Sequence, residues 1–241
     1  MTALKTPEKT SRRQELRRNW LVELYGRLLL FYEDNRTLAY GIGVGILALA
    51  LSVPGYMYYQ QQQSEQANEM LGQILPVYEQ GNLGQALEGT GDTPGLLEIA
   101  NQYEGTTAGN LAVFYAATAL YEQEEYDRAL EWYQRFEKGN DFISASALAG
   151  EAAIYETQGE FAQAATHYED AAAQYENELT APRYLLEAGQ AHEEAGDYEA
   201  AASVYEAILN DYPDSDQVTD AERFLARAQA RQGASGSGPS S

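Results

Sequence analysis

The chain contains no cysteine, so no disulfide can staple it and no thiol can serve as a nucleophile or zinc ligand. Its two histidines, His167 and His192, lie 25 positions apart, without the spacing of a metal-binding pair. There is no glycine-rich phosphate loop. Basic residues are scarce: 15 Lys and Arg stand against 37 Asp and Glu, for a net charge of −22, and only three are lysines. A body this acidic repels a polyanion, which excludes DNA and RNA as partners. Glutamate pairs such as Glu124-Glu125 and Glu193-Glu194 fall at expected helix ends, where solvated carboxylates are the default, so paired-carboxylate catalysis is not expected. His192 is expected inside a helix pair and His167 on an outer helix face. The absences together predict a protein that is not an enzyme, with no cofactor, no metal and no small-molecule substrate.

The one long apolar run, Leu38–Tyr59, organises the rest. Its 22 residues carry no charge, and a helix of that length at about 1.5 Å per residue covers the roughly 30 Å hydrocarbon core of a bilayer. Tyr40 at one end and Tyr56, Tyr58 and Tyr59 at the other suit the two interfaces. A secretory signal would have a shorter apolar run closer to the N-terminus. Residues 1–36 hold eight basic and five acidic side chains, whereas the remainder holds seven basic and 32 acidic ones. By the positive-inside tendency the N-terminus is cytoplasmic and the acidic body lies across the membrane. Gly41 and Gly45 form a G-x-x-x-G pair that would let another transmembrane helix approach closely.

The expected organisation is a disordered start (1–10), a basic amphipathic cytoplasmic helix (11–36), the transmembrane anchor (37–60), a helical repeat domain (61–232) and a flexible tail (233–241). In the second segment Leu16, Trp20, Leu24, Leu28 and Tyr32 recur every fourth residue opposite most of the arginines, the pattern of a helix lying on anionic lipid. After the anchor, residues 64–81 read as a helix with Pro76 as a kink. Leu83–Leu87 and Leu96–Tyr103 read as short helices separated by the breaker-rich Gly89–Gly95, and Gly105–Gly109 closes this section.

An internal repeat follows. The blocks Glu124–Leu130, Gly159–Ala165 and Gly196–Ala202 align at spacings of 35 and 37, and each carries a tyrosine four residues past a shared alanine: Tyr133, Tyr168 and Tyr205. That period, with a turn, a small residue and a second aromatic, is the tetratricopeptide pattern of about 34 residues per helix–turn–helix. Ala129, Ala164 and Ala201, with Ala117, Ala152 and Gly189 on the first helices, should let paired helices approach closely. Gly81-Asn82-Leu83 with Ala86 reads as a degenerate first repeat. Pro213 ends the third, and a helix over 215–231, capped by Asp214 and Gln217, should close the stack. The fold class is therefore all-α: a tetratricopeptide-type solenoid of three full repeats, one degenerate N-terminal repeat and a capping helix, behind one transmembrane helix.

Counted from the shared alanines, the groove of the first helices would hold Leu111, Phe114, Thr118 and Tyr121, then Ser146, Ala149, Ala153 and Glu156, then Arg183, Leu186, Gln190 and Glu193. Arg183 is the single cation, so a clamp for a C-terminal carboxylate is not expected. Leu111, Phe114, Tyr121 and Leu186 would form an apolar patch in an acidic frame, suited to an amphipathic helix or an unfolded, positively charged segment. The alternative is that the N-terminal repeat and its insertion cover these side chains as core.

The anchor, the acidic repeat body, the glycine-broken insertion and the stretch Tyr103-Glu104-Gly105-Thr106-Thr107-Ala108-Gly109-Asn110-Leu111-Ala112 together resemble the YfgM-like family of bacterial envelope tetratricopeptide proteins, over residues 35–231. The resemblance implies an accessory of the Sec translocon, facing the periplasm from the inner membrane. It implies work with a PpiD-like chaperone, with translocon subunits and exported clients as protein partners and the bilayer as lipid partner. The long basic arm departs from the family's shorter cytoplasmic end. A structural coordinator of another envelope complex, in cell-wall synthesis or outer-membrane assembly, would share the same repeat body.

Overall fold

The computed structural model describes residues 20, 22–23, 25–27, 29 and 35–236. The expected disordered start and the last five residues of the expected tail lie outside the described residues. Of the expected 11–36 helix, Trp20, Val22, Glu23, Tyr25, Gly26, Arg27 and Leu29 are described and helical, Asn35 is described and not helical, and Arg36 begins the next helix. The chain divides into two compact units, residues 1–61 and 62–241.

In the first unit the dominant element is the beginning of helix α1 (Arg36–Glu79). Leu38, Ile42, Ile46, Leu49 and Val53 are all exposed along it. Its most apolar 18 residues have a mean hydropathy of 1.8, which makes it long and apolar enough to cross a membrane. A β-carbon added at Gly41 or Gly45 would meet nothing within 4 Å, so this glycine pair presents an open face within its unit.

The second unit begins within α1, where Ala67, Leu71 and Ile74 are buried. Pro76 does not end the helix, which continues to Glu79. There follow α2 (Leu83–Glu88), a two-stranded antiparallel hairpin of β1 (Gly89–Thr90) and β2 (Thr93–Pro94), and α3 (Leu96–Gln102). The breaker-rich insertion is thus a tight hairpin, with Gly91 at φ 58° in its turn. The three full repeats are α4 (Thr107–Glu122) with α5 (Tyr126–Arg135), α6 (Phe142–Thr157) with α7 (Phe161–Gln174), and α8 (Ala181–Glu194) with α9 (Tyr198–Asp211). Helix α10 (Val218–Gly236) packs on α9. It starts three residues later than expected, with the Gln217 carbonyl accepting its first bond from Ala221 N–H, and it runs through Gly233–Gly236.

The turn inside each repeat is built the same way. After α1, α4, α6 and α8 one residue takes positive φ: Gly81 (77°), Glu124 (62°), Gly159 (78°) and Gly196 (81°). In each case its N–H donates to the carbonyl three residues back and the next N–H donates to the carbonyl five residues back. Gly196 to Glu193 O at 3.0 Å and Asp197 to His192 O at 2.9 Å are one such pair. These paired bonds satisfy carbonyls that the helix end would leave without partners. The first turn, at Gly81, follows the same rule as the full repeats.

The Thr106–Asn110 stretch has a packing role. Thr106 Oγ1 accepts from Gly109 N–H at 3.0 Å and caps α4, so this helix starts within the segment expected to be a closing loop. The Asn110 side chain donates to the Glu137 carbonyl (2.9 Å) and accepts from the Glu137 N–H (2.8 Å), tying α4 to the end of its partner helix.

The core follows the small and aromatic positions of the repeat. Ala117, Ala129, Ala152, Ala164 and Ala201 are fully buried, and Tyr133, Tyr168 and Tyr205 are buried beside them. Each such aromatic removed from water contributes about 1.5–3 kcal/mol. The architecture is an all-α tetratricopeptide-type solenoid.

Candidate partner-binding groove

The first helices α4, α6 and α8 present their expected groove positions in different ways. In α4, Phe114 belongs to an aromatic cluster with Tyr115, Tyr133 and Phe136, at ring separations of 5.7, 6.1 and 5.9 Å. Leu111 packs on the same core. The Thr118 hydroxyl donates to the Phe114 carbonyl at 3.0 Å and lies 3.1 Å from the Tyr133 hydroxyl. Burial lifts the Tyr133 phenol to about 12, with the Thr118 hydrogen bond opposing. In α8, Leu186 is 9% exposed, in the cluster formed with Tyr205, Ala221 and Ala228. Gln190 donates to the Leu186 carbonyl at 3.4 Å. The expected apolar patch is therefore largely engaged inside the chain: Leu111 and Phe114 are half-buried and Leu186 is buried.

What lies open is a groove of about 450 Å³ where α4, α6 and α8 come together. Of the expected residues it brings together Tyr121 and Arg183 with Ser146, Ala149, Ala153 and Glu156; Leu111, Phe114, Thr118, Leu186 and Gln190 are not in its lining. Gly150, Tyr168, Tyr184 and Glu187 also line it, and counting groove positions on first helices alone omits them. The signal for Tyr168 is its place four residues past Ala164, which lets a second-helix phenol reach across. The signal for Glu187 is its place one turn beyond Arg183.

The groove is polar at its centre. The Tyr168 hydroxyl donates to Glu156 Oε2 at 3.1 Å, and burial first, then the Glu156 charge, holds this phenol well above its ordinary range. The Glu187 carboxyl is also raised, by burial first and by Glu156 second, with Arg183 opposing. Arg183 lies over the Tyr184 ring at 5.1 Å, and among the described residues it makes no ion pair within 4.0 Å. This arrangement accepts hydrogen bonds and attracts cations.

Two carboxylates outside the open groove are buried, and one of them, Glu193, corrects the expectation that the Glu193-Glu194 pair is solvated. Glu193 is 4% exposed: it accepts from the Tyr205 hydroxyl (3.0 Å) and from Arg227 Nε and Nη2 (2.8 Å each), with Arg231 at 3.8 Å. Glu151 is 3% exposed, with Lys138 Nζ 2.8 Å from one oxygen and His167 Nδ1 3.3 Å from the other; both are contacts by distance rather than aligned hydrogen bonds. His167, stacked on Tyr155 at 5.0 Å, thus turns inward rather than standing on an outer face. His192 Nε2 lies 2.6 Å from Glu169 Oε1. Among the described residues, no three His, Asp or Glu side chains are grouped to hold a metal.

Residues 150–216 match the family described as tetratricopeptide repeat, a segment that runs from within α6 past the end of α9. No curated protein matches the chain. Residues 150–216 thus carry tetratricopeptide repeats, and the other packed helix pairs share their all-α fold; repeats of this kind serve as scaffolds for protein–protein interaction.

Proposed function

We propose that this protein is a non-catalytic scaffold anchored by a single span in a bacterial inner membrane, with its N-terminus in the cytoplasm and its repeat domain in the periplasm. There it serves the Sec translocon with a PpiD-like chaperone and contacts exported proteins through the groove that includes Tyr121 and Arg183. The single observation that carries this is the open groove of first helices with Glu156 and Glu187 inside it, on a chain whose helix α1 also holds an apolar stretch of 18 residues with none of it buried. The charge asymmetry about that helix supports the orientation, and the resemblance to YfgM-like proteins supports the translocon role. The basic arm contacts anionic lipid, and Gly41 with Gly45 forms the contact face for a partner span.

The test is co-purification from mildly solubilised membranes, read by mass spectrometry, for the wild type and for Gly41→Ile with Gly45→Ile. Translocon subunits and a chaperone should accompany the wild type and be depleted from the double variant. Recovery of cell-wall or outer-membrane assembly proteins instead would move the scaffold to a different envelope complex. Recovery of no envelope protein would overturn the proposal.

A further inference from the structure

The last helix resembles in sequence the first helix of the third full repeat. Ala181-Pro182-Arg183-Tyr184-Leu185-Leu186-Glu187-Ala188 in α8 aligns with Ala221-Glu222-Arg223-Phe224-Leu225-Ala226-Arg227-Ala228 in α10. The structure keeps this register. Ala181, Ala188, Ala221 and Ala228 are all fully buried, and each of Arg183 and Arg223 lies over the ring that follows it, at 5.1 and 4.7 Å. Arg223 pairs locally with Asp220 at 2.7 Å, so the arginine at this position is not the one that reaches the preceding repeat.

The residue that does reach it is Arg227. It forks onto Glu193 while the Tyr205 hydroxyl, 12 residues after Glu193, donates to the same carboxylate. The preceding repeat has the same pair at the same spacing, Tyr168 donating to Glu156. The α8 residue equivalent to Arg227, however, is Glu187. One interface therefore carries a tyrosine, a carboxylate and a guanidinium paired with it, whereas the other carries a tyrosine and two carboxylates bordering an open groove, with Arg183 in the lining but making no ion pair within 4.0 Å among the described residues. Burial first and the Glu156 charge second raise the Glu187 carboxyl, with Arg183 opposing only in part.

We propose that the groove between α6 and α8 is the seat for an arginine side chain of a partner protein, held between Glu156 and Glu187 where the next interface holds Arg227. The occupant is a segment carrying arginine rather than an acidic or purely apolar one. A guanidinium presents five donors in a planar fork, which suits two carboxylates and a phenol oxygen better than an ammonium does. The small Ala149 and Ala153 leave room for the backbone that carries it. The seat rests on the scaffold function proposed above and specifies the partner chemistry at that groove.

The test uses the full chain in detergent and a fluorescein-labelled peptide of alternating arginine and alanine, with the same peptide carrying citrulline as the uncharged isostere. Binding is followed by anisotropy. The arginine peptide should bind roughly ten- to a hundredfold more tightly than the citrulline peptide, the range for a charge-assisted hydrogen-bonded pair. Glu156→Gln with Glu187→Gln should bring that ratio close to one. Glu187→Arg should abolish binding by filling the seat from within, and circular dichroism should show both variants folded. Glu199→Gln with Glu206→Gln, exposed carboxylates on α9, should leave the ratio unchanged. Equal binding of the two peptides, or an equal loss in the α9 variant, overturns the seat. The co-purification experiment separates it from the scaffold function. Partners retained on Glu187→Arg as on the wild type would remove the seat and leave the scaffold. A discriminating peptide with no partner on the wild type would do the reverse.

Discussion

The ring of Tyr133, on the second helix of one repeat, occupies the space that a β-carbon on Gly150 of the next repeat would need. A β-carbon built there stands 2.7 Å from Cε2 and 2.8 Å from the hydroxyl oxygen, besides a still closer approach to Cζ. Tyr205 covers Gly189 in the same way within its own repeat. Glycine in a helix interior costs about 1 kcal/mol relative to alanine, so a compensating contact is expected at both positions.

Gly150→Ala should therefore destabilise the protein by about 1–2 kcal/mol, the overpacking cost less the gain in helix propensity. Gly72→Ala, on the exposed face of α1 with nothing within 4 Å, should stabilise it by up to about 1 kcal/mol. Urea denaturation of the two variants checks the pair. A gain at both positions would show that Tyr133 is not held against Gly150.

Glu124 is the non-glycine exception among four matching turns, at φ 62° where the other three place glycine. A side chain in the left-handed region costs on the order of 1 kcal/mol. Glu124→Gly should raise the unfolding free energy by about 0.5–1 kcal/mol, measured by chemical denaturation, whereas Gly196→Ala should lower it by a similar amount. A loss at Glu124→Gly would mean that its side chain makes a contact worth more than the strain.

Glu187 ties stability to pH. Its carboxyl keeps its proton in the folded state to a higher pH than the ordinary value of about 4.3 in the unfolded chain. In the window between those two values the folded state binds more protons, so its contribution to stability is full below the lower value and is lost as pH rises through the upper one. Glu187→Gln should be more stable than the wild type at pH 7, and the difference should close by about pH 4. Melting curves at the two pH values decide it; a difference independent of pH would rule out the carboxylate as its source.

The repeat could be read from Ala129, Ala164 and Ala201 and the tyrosines four residues on, because close helix packing tolerates few residue types and imposes a fixed period. The anchor-length apolar run was equally plain. The hairpin at Gly89–Pro94 was not, since two-residue strands carry no hydrophobic alternation to detect. The burial of Glu193 depends on Arg227, 34 residues later, and that of Glu151 on Lys138 and His167 from two other segments; no local pattern announces such partners. At the groove, counting positions on first helices found Tyr121, Glu156 and Arg183. It missed Tyr168, which reaches in from a second helix, and it included Phe114, whose aromatic neighbours Tyr133 and Phe136 come from outside α4.

Because α10 keeps the register of α8 and carries Arg227 where α8 carries Glu187, the contact that closes the array needs only the unit next to it. Excising residues 159–195 would join α6 to α9, keep 12 residues between Glu156 and the Tyr205 position, and bring Arg227 onto Glu156. The open carboxylate pair would vanish with the excised unit, and the stack would still end on a neutralised, hydrogen-bonded glutamate. Array length and closure are in this way separable properties of the chain.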